Sequence, residues 1–312
     1  MEALWLLAGL VGLWAGTESA LRGAVAVADR LGVSEFVIGV AILSVGSDLP
    51  ELAIAIDAAL KSLDGHDFSD LVVGSALGSG LGQIGFVLGV AGLLAQLTLP
   101  RATVFRHGGM LLGSLAVLGL FGSDGIVTRL EGLALVGLYL GYLGMLLFRQ
   151  RPQNGGTEGR HRFRLLPAIL YLVVGLGVVV ASAELTVVSA SSLALRLGIE
   201  ESFVAIIIIG LGSSLPELSI SVAAVMKGNT RLSVGNLVGS NIFDTLMPAG
   251  VAALIATLSF DRSMFTFELP FLFTVTAIVL ALFVGPRGVR KPEATVVLGA
   301  YLVYVSIKLL TA

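Results

Sequence analysis

The chain has no cysteine, which excludes disulfides and thiolate-held metal or redox centres and leaves the compartment open. Charge is also scarce. Asp, Glu, Lys and Arg make up 13% of the residues, against about a quarter in soluble domains. There are 3 histidines, and His66, His107 and His161 are each expected in polar connectors. That leaves no buried imidazole cluster for a metal and no Ser/His pair for an intramembrane hydrolase. The formal charge of −2 gives no basic surface of the kind nucleic acids require.

What remains is apolar. Hydrophobic residues are 56% of the chain and mean hydropathy is +0.97, the composition of an integral membrane protein. The start, Met1-Glu2-Ala3-Leu4-Trp5, lacks a basic leader and a cleavage site, so it reads as a retained span. A span needs about 20 mostly apolar residues. Ten such helices are expected, over approximately 3–30, 34–62, 70–97, 103–121, 128–148, 164–196, 200–226, 231–259, 265–284 and 293–311.

The widest polar interruption, 149–164, contains Pro152, Gly155, Gly156 and Gly159 and reads as a linker. It separates a first five-helix unit, 1–148, from a second, 165–312. The units are related. A shift of 166 carries Glu18 to Glu184, Gly32 to Gly198, Gly46 to Gly212, Pro50 to Pro216, Glu51 to Glu217 and Lys61 to Lys227. A shift of 161 then carries Gly74, Gly78 and Ser79 to Gly235, Gly239 and Ser240. Duplicated halves are common in transporters. Most of the 19 basic residues fall in the odd-numbered connectors, the linker included. Those connectors are therefore expected at the cytoplasm, with both termini outside and the linker against anionic lipid. Five helices is an odd number, so the second unit enters from the opposite face and the repeats are inverted.

The duplication is sharpest in one phrase. Gly46-Ser47-Asp48-Leu49-Pro50-Glu51 recurs as Gly212-Ser213-Ser214-Leu215-Pro216-Glu217, each inside an apolar run. An ionised carboxylate at a span centre costs roughly 2.5–3.5 kcal/mol. Proline has no N–H and crowds the carbonyl four residues earlier, so Pro50 and Pro216 free the carbonyls near Gly46 and Gly212. Irregular backbone at membrane depth persists only inside protein or beside a wet cavity. Freed carbonyls, the hydroxyls of Ser47, Ser213 and Ser214, and the carboxylates of Asp48, Glu51 and Glu217 offer only oxygen, which suits hard cations. Each unit then has a small-residue stretch, Gly74 to Gln83 and Gly235 to Asp244. Ser79 with Gln83, and Ser240 with Asp244, share a helical face at spacing four, and the glycines allow close approach.

Gly-Ser-x-Leu-Pro-Glu followed by Gly-x-x-x-Gly-Ser, twice, resembles the two α-repeats of the cation/Ca²⁺ antiporter superfamily, in particular its prokaryotic sodium/calcium exchanger branch. The resemblance covers essentially the whole chain. It implies an all-α fold of ten transmembrane helices in two inverted five-helix repeats, with helices 2, 3, 7 and 8 broken. It further implies a mid-membrane diamond of sites for Ca²⁺ and Na⁺. Carried over residue by residue, Glu51 and Glu217 would be shared Ca²⁺ ligands. Ser47 and Ser213 would coordinate through their carbonyls. Ser79 and Ser240 would serve flanking Na⁺ sites, Ser214 would stand at another hydroxyl position, and Asp244 at a middle position opposite Gln83. The first repeat departs from the family: Asp48 stands for serine, Gln83 for asparagine, and Ser75 and Gly80 for two further asparagines.

The expected function is secondary active exchange of Na⁺ for Ca²⁺ at the inner membrane by a monomer, with no cofactor and no enzymatic role. Helices 1 and 6 would slide past the rest, as in the family. Asp48 adds a fourth carboxylate, and four such groups at close range cannot all remain ionised without a cation. This keeps H⁺-coupled Ca²⁺ exchange open as the alternative. A channel or an intramembrane enzyme fits less well. A bland reading stands beside each site: Glu51 and Glu217 as a structural polar pair, Gln83 as a helix–helix hydrogen bond, Asp57 as an interfacial or vestibule charge, and Glu18 and Glu184 as anchors at the water boundary.

Overall fold

The computed structural model describes residues 1–64, 68–148, 165–198 and 212–311. The expected linker, His66 and His161 lie outside these residues. Among the described residues, eight helices are long and apolar enough to cross a membrane. In chain order they include α1 (Glu2–Leu31), α3 (Ser69–Leu94), α4 (Arg101–Asp124), α5 (Arg129–Phe148) and α6 (Leu165–Arg196). A further crossing, α2, is broken into arms Glu35–Ser47 (α2a) and Leu49–Ser62 (α2b), bent by 45°. Of the expected helix 200–226, the structure describes α7, Leu215–Met226. The chain ends with α8 (Thr230–Ile255), α9 (Met264–Val284) and α10 (Lys291–Thr311).

Two of the four expected breaks are absent. α3 runs unbroken through a π-turn at Gly82–Val87, and α8 is one helix despite an internal Pro248. The reason is chemical: the Gly-x-x-x-Gly-Ser stretches contain no proline, and glycine alone loosens a helix without removing its hydrogen bonds. In α2 and α7 proline acts within the repeated phrase. Asp48 leaves the helix at φ −95°, ψ 4°, and Ser214, its counterpart, at φ −90°, ψ 8°.

α1 and α6 pack antiparallel along a glycine seam. A Cβ added at Gly9 would meet Thr186, at Gly16 it would lie 2.8 Å from the Val179 nitrogen, and at Gly23 it would lie 2.3 Å from the Leu172 nitrogen. α1 ends on Gly32 at φ 65°, and Gly198, 166 residues on, follows α6 at φ 79°. Both supply the left-handed turn that favours glycine. The remaining helices form a separate core in which α8 is the most enclosed. α8 packs on both arms of α2 and on α3, α5 and α7. The connectors are tied in pairs. Strand β1 (Ile126–Val127) pairs antiparallel with β2 (Leu258–Ser259), and Leu97 bridges Val289.

Candidate ion site

The break in α2 and the start of α7 bring the repeated phrases to the buried centre of the bundle. Glu51 and Glu217 each sit in the first turn beyond the proline. Asp48 and Glu217 are 0% and 1% exposed, and Asp244 on α8 is 1% exposed. Glu51 is half-buried. Every pair among Asp48, Glu51, Glu217 and Asp244 lies within mutual electrostatic range. Among the described residues, none of the four forms an ion pair with Lys, Arg or His.

Hydrogen bonds divide the four into two kinds. Asp244 is held: Ser79 Oγ donates to its Oδ2 at 2.7 Å and Gln83 Nε2 to the same oxygen at 3.0 Å. Asn241 Nδ2 fixes Gln83 by donating to its Oε1 at 2.7 Å. Asp48 accepts from Ser240 Oγ at 3.1 Å and from Ser47 Oγ at 3.3 Å, both through Oδ1. The other oxygens of these two acids, Asp244 Oδ1 and Asp48 Oδ2, have no hydrogen-bond partner, nor has Glu51 Oε2. Glu217 lies beside Ser47 and Asp48, yet neither of its oxygens makes a hydrogen bond of good geometry. Buried acceptors of this kind are costly unless something else satisfies them. The free oxygens are hard donors, a type that suits a cation preferring oxygen.

The expected hydroxyl ligands and the expected carbonyl ligand Ser213 differ in burial. Ser47, Ser79, Ser214, Ser240 and Gln83 are buried with the carboxylates, whereas Ser213 is at an exposed turn. Among the described residues no three His, Cys, Asp or Glu converge on one metal-sized point. A cation here must therefore take hydroxyls and freed carbonyls with the acids. Asn241 was not anticipated as a member, although its counterpart, Gly80, already marked a departure in the first repeat. Asn236 was also passed over; both atoms of its buried amide lack a partner, as do Ser221 Oγ on α7 and Ser233 Oγ on α8.

Other polar residues separate from the site. Asp57 is exposed and pairs with Lys61 at 2.6 Å. Glu18 pairs with Arg22 at 2.7 Å and with Lys227, so it is bound by cations outside the site. His107 corrects an expectation. It is not in a polar connector but buried within α4, against the Phe36 ring and 2.8 Å from Tyr142 Oη. The helix begins at Arg101, and its π-turn Val104–Gly108 carries His107 on the buried face.

Residues 1–148 and 167–310 match the family described as sodium/calcium exchanger protein. The chain belongs to the sodium/calcium exchanger family. It is similar to CaxA of Alkalimonas amylolytica, named as an antiporter, at 30% identity with 97% of each chain covered. It is similar also to the sodium/calcium exchanger MaX1 of Methanosarcina acetivorans, at 26% identity with 96% of each covered. The solved structure of the sodium-calcium exchanger NCX_Mj superposes with a TM-score of 0.82 at 26% identity, covering 98% of this chain and 99% of that one. This exchanger is thus a multi-pass membrane transporter, and its buried acids are not the catalytic groups of an enzyme.

Proposed function

We propose that this exchanger is a secondary active antiporter that moves Na⁺ in one direction and Ca²⁺ in the other by alternating access. One observation carries the reading. Four mutually repelling carboxylates are gathered together, three in the two proline phrases and one on α8, with five oxygens unpartnered and, among the described residues, no basic residue paired to them. At about 3 kcal/mol each, closing such a site empty and charged costs on the order of 10 kcal/mol. A bound divalent ion, or several monovalent ones, offsets that cost, so the access change accompanies loading. This is the physical basis of obligatory exchange.

Glu217 and Glu51, with their unpartnered oxygens, are the primary Ca²⁺ ligands in this reading, and Asp48 and Asp244 complete the charge. Ser47, Ser213, Ser214, Ser79, Ser240 and Gln83 serve the flanking Na⁺ positions, Ser213 through its backbone. The ten-span inverted topology, with both termini outside and the 149–164 linker cytoplasmic, belongs to the same proposal. It is supported by the tied connectors: the contact of Leu97 with Val289 and the β1–β2 pair are exchanged when one unit is mapped onto the other. The protein acts as a monomer in this scheme.

A second reading, H⁺-coupled Ca²⁺ exchange, is favoured by one residue, Asp48, which gives the site a carboxyl where the family resemblance implies a hydroxyl. Uptake of ⁴⁵Ca²⁺ into proteoliposomes under imposed Na⁺ or H⁺ gradients tests both. Uptake driven by an outward Na⁺ gradient and lost in Glu51→Gln supports the first reading. Uptake driven only by H⁺, and converted to Na⁺ dependence by Asp48→Ser, replaces it with the second. Rapid Ca²⁺ flux with no counter-ion would refute antiport altogether.

A further inference from the structure

The duplication pairs Glu18 with Glu184 and Lys61 with Lys227. In the structure only one of the two equivalent cross-contacts is made. Glu18 on α1 is bonded to Lys227, the residue that caps α7. Glu184 on α6 is exposed and, among the described residues, has no ion-pair partner, while Lys61 at the end of α2b is turned to Asp57 of its own helix.

The asymmetry extends along the helices that carry these residues. α1 packs along α7, and Thr17 Oγ1 donates to Ser219 Oγ at 3.1 Å. α6 has no comparable packing on α2b. Equivalent residues differ accordingly: Ile54 is 48% exposed and Ile220 is 0% exposed. The α7 side of the site is covered and the α2b side is not. The antiparallel seam pairs Gly9 with Thr186 and Gly16 with Val179, which puts Glu184 level with Val11, so the two glutamates are about 10 Å apart along the axis, one toward each membrane face.

The geometry points to a pair of alternating ionic latches, Glu18–Lys227 and Glu184–Lys61, each closed when its own face of the site is closed. Inverted repeats exchange conformations when access changes. After the change α6 packs on α2b as α1 now packs on α7, Glu184 takes Lys61 from Asp57, and Glu18 releases Lys227. The inference rests on the antiport reading only for the existence of two access states. The latches are not equal, because the competitors differ. Asp57, which holds Lys61 back, has Ala223 as its counterpart, and Arg22, which stays with Glu18, has Val188. The Thr17–Ser219 bond likewise has no equivalent, since Ala183 and Ala53 occupy those positions. The chain's own asymmetry therefore favours the state described here.

The absence of cysteine allows a direct test. Glu18→Cys with Lys227→Cys, and Lys61→Cys with Glu184→Cys, are introduced separately and together, with a protease site in the 149–164 linker. A short bifunctional thiosulfonate then joins the cleaved halves only where a latch forms. With Ca²⁺ and Na⁺ gradients imposed in both directions, each pair is expected to cross-link, each link to stop flux, and molecules bearing one link to be protected from the second. With Lys61 and Glu184 retained, Asp57→Ala should free Lys61 for Glu184 and so lower the rate of the 18–227 link. Double linkage of single molecules, or no 61–184 link while exchange proceeds, overturns the proposal. Should the four-cysteine protein fail to fold, the charge reversals decide. Lys61→Glu must slow turnover and Glu184→Lys in the same chain must restore it; no recovery overturns the latch. Exclusive cross-linking without Ca²⁺ flux would leave the latches standing and refute the cargo assignment.

Discussion

Replacing Glu217 by glutamine separates an ion ligand from a structural polar group. Glu217 is 1% exposed, and both its oxygens lack a hydrogen-bond partner. A carboxylate held this way contributes nothing to the fold and costs about 3 kcal/mol at a span centre. Glutamine keeps the volume and removes the charge. The Ca²⁺-free protein should therefore become more stable, by up to about 3 kcal/mol, while the attraction that charge offers a cation disappears. Since 1.4 kcal/mol is tenfold, the Ca²⁺ concentration for half-maximal uptake should rise at least about 100-fold. Two measurements on one preparation check this: thermal unfolding in detergent with and without Ca²⁺, followed by intrinsic tryptophan fluorescence, and ⁴⁵Ca²⁺ uptake after reconstitution. The expected result is a higher midpoint without Ca²⁺, a much smaller upward shift on adding it, and lost uptake. A lower midpoint in the absence of Ca²⁺ together with normal uptake would refute the reasoning, because that is how a structural polar pair behaves.

Two further outcomes follow from packing alone. A Cβ at Gly175 would lie 2.3 Å from the Ala20 backbone nitrogen, so Gly175→Leu should part α1 from α6. It should cost upward of about 1–3 kcal/mol, read as a lowered unfolding midpoint with loss of exchange. Glu268 is buried at 6% exposure and bonded to Lys308, which is itself half-exposed. Lys308→Met leaves that carboxylate unsatisfied and should destabilise by about 1–3 kcal/mol. Adding Glu268→Gln should recover most of the loss in the same unfolding assay.

Much of the fold was legible because lipid imposes a simple length rule. The observed ends of α5 and α6, Arg129–Phe148 and Leu165–Arg196, lie within a residue or so of those read from hydropathy. The break in α2 was legible because proline removes a specific hydrogen bond. The extra breaks expected in α3 and α8 came from the family resemblance; their glycine stretches permit irregular backbone but do not require it. His107 was assigned to a connector because Arg101 and Arg106 flank it, and local charge outweighed the contact with Tyr142, 35 residues away. The candidate site divides in the same way. Its residue types were readable from the two phrases. Its internal order was not, because the bonds of Ser79, Gln83 and Asn241 reach across more than 150 positions of sequence.

The glycine seam between α1 and α6 has a mechanical consequence. Backbones pressed this closely leave no side-chain ridges to slip past one another, so the two helices form one rigid beam. Because they run antiparallel, a step of the beam toward one membrane face is the same step away from the other. In the proposed alternating-access scheme, sealing and unsealing are then a single displacement, with no separate sensor needed to keep both doors from standing open together.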